Sequence, residues 1–477
     1  MQPHLLCKYL LVAGTFIITS FAQYHTPESN YTHMDWPTMK AKIQPRIILH
    51  GGAGNITPSN IPPEKYTLYK ESMLHILTTA NEMLQQPEAR ALDVVTFAVS
   101  MLEDNPLFNA GKGSVFTRAG TNEMESSVMV SNGYHKRGAG CMLLQHVKNP
   151  IKLAAEILRR GEEKDGGGAQ THVQMSGPAL EELAKGWGLE IVDADYFWTK
   201  ERWEQHKKGL EANSSQNVVS AVVDEKLVDQ TVAYSEKMNG VNQVVSEYVP
   251  KGTVGAVVLD SYGTIAVATS TGGMTNKIPG RIGDTPTFGS GFWAEEWHET
   301  PLDKEAKEKQ LQSLFSQISS LFTNCFPSQK PQEQKSQKQA HSSQDTLIEE
   351  SPNNKPHTDK SHASKGKLRH AVGLSGTGNG DSFLRLSAAR TVAAMSRFSQ
   401  ISLAEAVTSM AGPGGELVQA AGDRWNGTAG EGEGGFIGIE LVGQKGKIVW
   451  DYNRGMFRAY IDDDGKAVFG AFRSDEA

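Results

Sequence analysis

The sequence predicts a layered protein of mixed α and β elements with largely antiparallel sheets. Strands and helices come in mixed blocks along the chain, and tight hairpins occur in its second half. A hydrophobic content of 38% over 477 residues is enough for a large core, and 48 glycines supply many tight turns.

Each element has a local reason. Arg46 to His50 is a short apolar strand, and Gly51, Gly52 and Gly54 make a flexible turn after it. From Pro63 to Gln86, Tyr66, Tyr69, Met73, Leu77, Ala80 and Leu84 recur at helical spacing, which predicts an amphipathic helix. A second helix runs from Ala89 to Leu102, with Val95, Val99 and Leu102 on one face, and "NPLFNAGKGSVFT" follows as a glycine-rich loop. Strands from Ser126 to Val130 and Gly138 to Leu144 flank a turn at Ser131-Asn132-Gly133, and Pro150 opens a helix through Leu158. Thr253 to Asp260 and Thr264 to Thr269 are partner strands joined by the turn Ser261-Tyr262-Gly263. Folded sequence resumes at His370. Helices from Phe383 to Arg397 and from Leu403 precede a hairpin turning around Gly443 to Gly446, and Met456 to Ile461 and Ala467 to Phe469 are the last strands.

Other segments carry different signals. Residues 1–22 read as a secretory signal: Lys8 is the positive charge, Tyr9 to Phe21 the apolar run, and Ser20 and Ala22 the small residues before a cut at Gln23. This predicts a secreted or endomembrane-lumen protein, with the cytoplasm as the alternative, and no stable membrane span. Glycosylation triplets at Asn30, Asn55, Asn213 and Asn426 fit a lumenal route. Residues 200–251 are polar and charged and read as a mobile linker. Within 303–369, Asp303 to Leu321 has the pattern of a charged helix. The Gln-, Ser-, Lys- and Pro-rich sequence after it lacks the apolar surface needed to offset chain entropy, so it is expected to be disordered.

Composition removes several function classes. A net charge of -7 gives no basic face for nucleic acid. Cys7, Cys141 and Cys325 are too few and too scattered for a disulfide framework or a zinc site, and the 14 histidines form no His-Glu-x-x-His motif. "NAGKGS" lacks the upstream glycine and the Ser/Thr of a phosphate loop, and "GTGNGD" lacks the spacing of a dinucleotide fingerprint. A Ser/His/Asp arrangement need leave no local motif, yet no Gly-x-Ser-x-Gly stands between a strand and a helix.

What remains is the pair Gly252-Thr253 at the head of a strand. A threonine hydroxyl is a poor nucleophile without a base nearby. A cut between the two residues would give Thr253 a free α-amine, which titrates near 7.7–8.0 in model compounds and is therefore partly neutral at working pH. Hydroxyl and base then sit on one residue, the N-terminal-threonine mode of activation. Gly252 allows the unusual backbone that such an attack on the preceding carbonyl needs.

Four stretches together resemble the isoaspartyl peptidase/L-asparaginase family of N-terminal nucleophile hydrolases. They are "LHGGAGNI", "NPLFNAGKGSVFTRAGTNEMESSVM", "GTVGAVVLDSYGTIAVATSTGGMTNKIPGRIGDTPTFGSGFWA" and "SGTGNGDSFLR". The likeness covers roughly residues 46–192, 252–295 and 370 onward. It implies an α+β fold, a four-layer αββα sandwich, cut by the protein itself into an α chain (45–252) and a β chain (253–477). By the same resemblance Thr253 is the nucleophile and Thr271 orients it. Arg281 and Asp284 hold the α-carboxylate and α-ammonium of an amino acid, contacts that suit a guanidinium fork and a carboxylate. Thr377 and Gly378 form the oxyanion hole. Asn109, Asn379 and Gly380 complete the substrate pocket.

The resemblance further implies no cofactor for the chemistry. It does imply a structural sodium ion wrapped by the backbone carbonyls of Leu102, Glu103, Asn105, Phe108, Ala110 and Lys112, and a dimer of αβ units. The implied substrates are small molecules, L-asparagine or isoaspartyl dipeptides. Rival readings are a glycosylasparaginase, a threonine aspartase-like protease, or an unprocessed non-catalytic relative. Asp284 argues for a substrate with a free α-ammonium, and "GGMTNK" after Thr271 looks more like the asparaginase branch.

Overall fold

The computed structural model describes residues 43–133, 135–221, 252–299, 312–313, 368–399, 401–425, 427 and 429–476. The expected signal at 1–22, residues 222–251 of the expected linker, and nearly all of 303–367 lie outside the described residues.

In chain order the first part contains β1 (Arg46–Gly54), α1 (Pro63–Leu84), α2 (Ala91–Asp104), β2 (Met124–Val130), β3 (Arg137–Leu144), α3 (Pro150–Arg160), β4 (Gln174–Ser176), α4 (Pro178–Gly186) and α5 (Lys200–Ala221). The part after Gly252 contains β5 (Val254–Leu259), β6 (Ile265–Thr271), β7 (Phe292–Glu299), β8 (Leu368–Gly378), α6 (Gly380–Leu386), α7 (Ala388–Ser399), α8 (Leu403–Ala411), α9 (Glu416–Ala421), β9 (Gly434–Val442), β10 (Lys445–Tyr452), β11 (Gly455–Ile461) and β12 (Ala467–Gly470). The chain is α+β.

Two sheets form. An eight-stranded sheet has the order β12-β11-β1-β5-β6-β2-β3-β4, and a four-stranded sheet has the order β10-β9-β8-β7. Strand pairs are antiparallel except β3 with β4. The period-two alternation of a strand explains where the core sits. Ile48, Val257, Leu259, Ile265 and Val267 of the large sheet share one buried cluster with Phe292, Ala294, Ala371, Ile437 and Ile439 of the small sheet. Their neighbours Ile47, Leu49, Ala256 and Val258 point the other way, into a cluster with Met73 and Leu77 of α1 and Val95 and Val99 of α2. On the small sheet, Val372, Leu374 and Phe436 pack with Val392 of α7 and Leu403 and Val407 of α8. These strands are therefore apolar on both faces, because both faces are covered. Among the described residues, no helix is long and apolar enough to cross a membrane.

Three expectations need correcting. The glycines after His50 continue β1 instead of forming a turn, with a register shift between His50 and Gly52. Gly51 is required by packing: a Cβ there would lie 2.7 Å from the Phe108 ring and 2.9 Å from Met73 Sδ. The helix expected from Phe383 to Arg397 is two helices, broken at Ser387, whose φ is +45°. Residues 200–221 of the expected linker are helical, and two side chains near the start of that helix, Arg202 and His206, are buried. Arg202 Nε donates to the Gly113 carbonyl at 2.7 Å, His206 hydrogen-bonds Asn276, and Trp203 meets Phe116 edge-on.

Candidate active site

The hairpin β5–β6 sets the site. Val254 pairs with Ser270 and Gly255 with Thr269, so Thr253 and Thr271 are the residues that flank the open end of that ladder. Thr253 is buried, at 5% exposure. Gly252 before it has φ +136°, a value that strongly favours glycine. Space demands glycine as well: a Cβ would lie 2.7 Å from Gly52 Cα, 2.8 Å from Ala53 N and 2.9 Å from Thr377 Oγ1.

Several other segments meet Thr253. At the end of β8, Thr377 Oγ1 donates to the Thr253 carbonyl at 2.9 Å and accepts from the Ala53 amide at 3.1 Å. The Thr253 hydroxyl lies 3.1 Å from the Thr285 hydroxyl. Thr285 was not singled out by the sequence, although it directly follows Asp284 in "GRIGDTP". The Thr271 hydroxyl accepts from the Gly273 amide at 3.0 Å, shaping the turn after β6. Among the hydrogen bonds described, it is Thr285 that reaches the Thr253 hydroxyl, while Thr271 lies past the end of that ladder and pairs with Glu125 of β2.

Asp284 lies one residue from Thr285 and is buried. Burial pushes its carboxyl up to about 7, against the pull of the nearby Arg281 guanidinium. Arg281 pairs with Asp381 through Nη2 at 2.7 Å. Both Arg281 and Asp284 crowd Gly380 at the start of α6, where a Cβ would sit 2.4 Å from Asp284 Oδ1 and 3.1 Å from Arg281 Nη2. Glu125, a further buried carboxylate that the sequence reading did not single out, accepts from the Gly283 amide at 2.8 Å and holds the turn between Arg281 and Asp284. Burial raises its carboxyl too, with Lys277 opposing.

The remaining expected residues are mostly structural in their contacts. Gly378, at φ +142°, packs against the Glu433 carbonyl, which a Cβ would meet at 2.3 Å. Asn379 caps α6, accepting from the Ser382 amide at 3.1 Å. Asn109 spans two loops: its Nδ2 donates to the Gly273 carbonyl at 2.8 Å and its Oδ1 accepts from the Val115 amide at 3.1 Å.

Near Thr253, His50 is a buried imidazole whose Nε2 lies 2.7 Å from Ser375 Oγ. Burial lowers its pKa to about 3, opposed by the Thr253 backbone, so the ring is neutral and a poor proton acceptor at neutral pH. Among the described residues no group of three or more His, Cys, Asp or Glu side chains is placed to hold a metal ion. The carbonyl loop is a separate case. Gly111, at φ +50°, and Gly113 sit against the carbonyl oxygens of Glu103 and Phe108, which added Cβ atoms would meet at 2.4 Å and 2.0 Å. The carbonyls of Leu102, Asn105 and Ala110 each accept one backbone N–H, which leaves a second lone pair on each. Such an all-oxygen set suits a hard cation.

With this geometry in place, a model of the asparaginase family matches residues 43–298. The chain belongs to that family. A putative isoaspartyl peptidase/L-asparaginase from Dictyostelium discoideum is 37% identical over 260 residues, covering 52% of this chain and 70% of the relative. An isoaspartyl peptidase from Escherichia coli is 39% identical over 252 residues, covering 52% and 67%. A probable isoaspartyl peptidase/L-asparaginase 2 from Arabidopsis thaliana is 29% identical over 426 residues, covering 88% and 96%. The asparaginase-family match includes Thr253, Thr271, Arg281 and Asp284; Thr377 and Gly378 lie beyond it but inside the fold's second sheet.

Proposed function

We propose that this asparaginase-family hydrolase acts on the side-chain amide of L-asparagine and the β-aspartyl bond of isoaspartyl dipeptides, with Thr253 as an N-terminal nucleophile. One observation carries the reading. The Gly252–Thr253 peptide bond, at the head of β5, is the meeting point of β1, β8 and the loop after β6, each placing a hydroxyl or amide at Thr253 or its partner Thr377. In this reading the precursor cuts itself after Gly252, and the three cores stack as a four-layer αββα sandwich.

In the cut enzyme the Thr253 amine takes the proton of its own hydroxyl as Oγ1 attacks the substrate carbonyl. The hydroxyl of Thr377 and the amide of Gly378 hold the developing oxyanion. Asp284 and Arg281 fix the α-ammonium and α-carboxylate. Ammonia or an amine leaves with the proton returned by the Thr253 amine, and water then releases aspartate from the acyl-enzyme. The neutral, weakly basic His50 supports the amine as the base, because the ring cannot serve well.

The carbonyls of Leu102, Glu103, Asn105, Phe108, Ala110 and Lys112 would hold a sodium ion, which supplies rigidity to the loop bearing Asn109 and no chemistry. A dimer of αβ units and a secretory or lumenal location complete the proposal.

The test is N-terminal sequencing of the fragments of purified protein, with assays on asparagine, a β-aspartyl dipeptide and glycosylated asparagine. A new terminus at Thr253 is expected, and Thr253→Ala should stay uncut and inactive. Active protein that keeps the Gly252–Thr253 bond would refute it.

A further inference from the structure

In the uncut chain the nitrogen of Thr253 is an amide, so its lone pair is not basic. The amine that serves the finished enzyme does not yet exist, and another group must prepare the Thr253 hydroxyl for the cut. We infer that Thr285 does this: its hydroxyl orients Thr253 Oγ1 for the self-cleaving step. The inference rests on the proposed self-cleavage.

The two hydroxyl oxygens are 3.1 Å apart and buried. Thr285 is itself tightly held. Ser127 Oγ on β2 donates to the Thr285 carbonyl at 2.6 Å, Thr269 Oγ1 on β6 donates to the same oxygen at 3.4 Å, and these two hydroxyls lie 2.5 Å apart. Among the hydrogen bonds described, none of the other candidates near Thr253 reaches its hydroxyl. Thr377 Oγ1 lies between the Thr253 carbonyl and the Ala53 amide, the Thr271 hydroxyl receives the Gly273 amide, and His50 Nε2 faces Ser375.

The step balances without an added reagent other than water. Thr253 Oγ1 bonds to the Gly252 carbonyl carbon, the C–N bond breaks, and the hydroxyl proton ends on the departing nitrogen as part of the new amine. Water then splits the ester, restoring the Thr253 hydroxyl and leaving Gly252 with a carboxylate and one proton released to solvent. Thr285 ends as it began. With Thr285 accepting the Thr253 O–H, a lone pair of Oγ1 is left to face the carbonyl carbon.

The experiment is a time course of chain cutting by full-length protein on a denaturing gel, with melting temperature measured on the same samples. Thr285→Val removes the hydroxyl at similar volume, and Thr285→Ala is a second hydroxyl-free chain should valine not pack. One hydrogen bond of this kind is worth about 1.4 kcal/mol at most, so cutting in both should slow by up to about tenfold with melting preserved. Thr285→Ser, which keeps the hydroxyl, should cut within about threefold of the parent. Cutting at the parent rate in both hydroxyl-free chains overturns the inference, as does a slow serine variant that melts normally. A parent chain that never cuts overturns the self-cleavage reading itself, and this inference with it.

Discussion

Thr377 Oγ1 donates to the Thr253 carbonyl at 2.9 Å while the Ala53 amide donates to it at 3.1 Å. A donor behind the hydroxyl fixes which way its one proton points, toward the Thr253 carbonyl, and to hold a substrate oxyanion that proton has to turn to the new oxygen. Donors to an oxyanion typically account for about 10²–10³ in kcat. Thr377→Val should therefore lose about a hundredfold in kcat with a small change in KM. Thr377→Ser should keep most of it, and steady-state kinetics on asparagine will tell.

Asp284 makes the pH dependence specific. Burial holds its carboxyl near 7, with Arg281 pulling the other way. A substrate ammonium needs the carboxylate form, so kcat/KM should fall as pH drops through about 7. Asp284→Asn should make that limb less steep, leaving the protonation of the Thr253 amine to set it, and raise KM. The same shift bears on folding: the folded chain keeps this proton to higher pH than the unfolded chain does. This group therefore lowers stability as pH rises from 3.8 toward about 7. Melting of Asp284→Asn should vary less over that window than melting of the parent.

Gly252→Ala should slow chain cutting. The new Cβ meets Gly52, Ala53 and Thr377 at under 3 Å, and the residue must keep φ +136°. Backbone strain of about 1–3 kcal/mol corresponds to roughly a fivefold to 150-fold loss of rate if it falls on the cutting step. A gel time course measures it. Cutting at the parent rate would show that the tight fit around Gly252 is irrelevant to the step.

Much of this was legible because the signals are local. The β5–β6 hairpin and the Gly252–Thr253 pair each lie within a few residues of their own evidence, whereas Arg281 and Asp284 stood out only through the family likeness of "GRIGD". Thr285 carried no such signal: its contact with Thr253 crosses 32 positions and exists only when the loop after β6 folds back. Arg281 was expected to work beside Asp284, and it does lie near it, but its ion pair is with Asp381, 100 positions away. Helix α5 was missed because composition treats Arg202 and His206 as solvated, whereas here both are buried against the Gly113 carbonyl and Asn276. Strands β7 and β8 pair across residues 300–367, so no short turn announced them.

The strand order β12-β11-β1-β5-β6-β2-β3-β4 mixes contributions from both sides of Gly252. Strand β1, from before it, lies between β11 and β5, both from after it; β5 and β6 in turn lie between β1 and β2. Scission would thus create two new chain ends without creating two separable bodies, since the halves are interleaved like the fingers of clasped hands. Assembly has to precede cutting. Halves synthesised apart would each carry bare strand edges in search of a neighbour, and would be prone to aggregate.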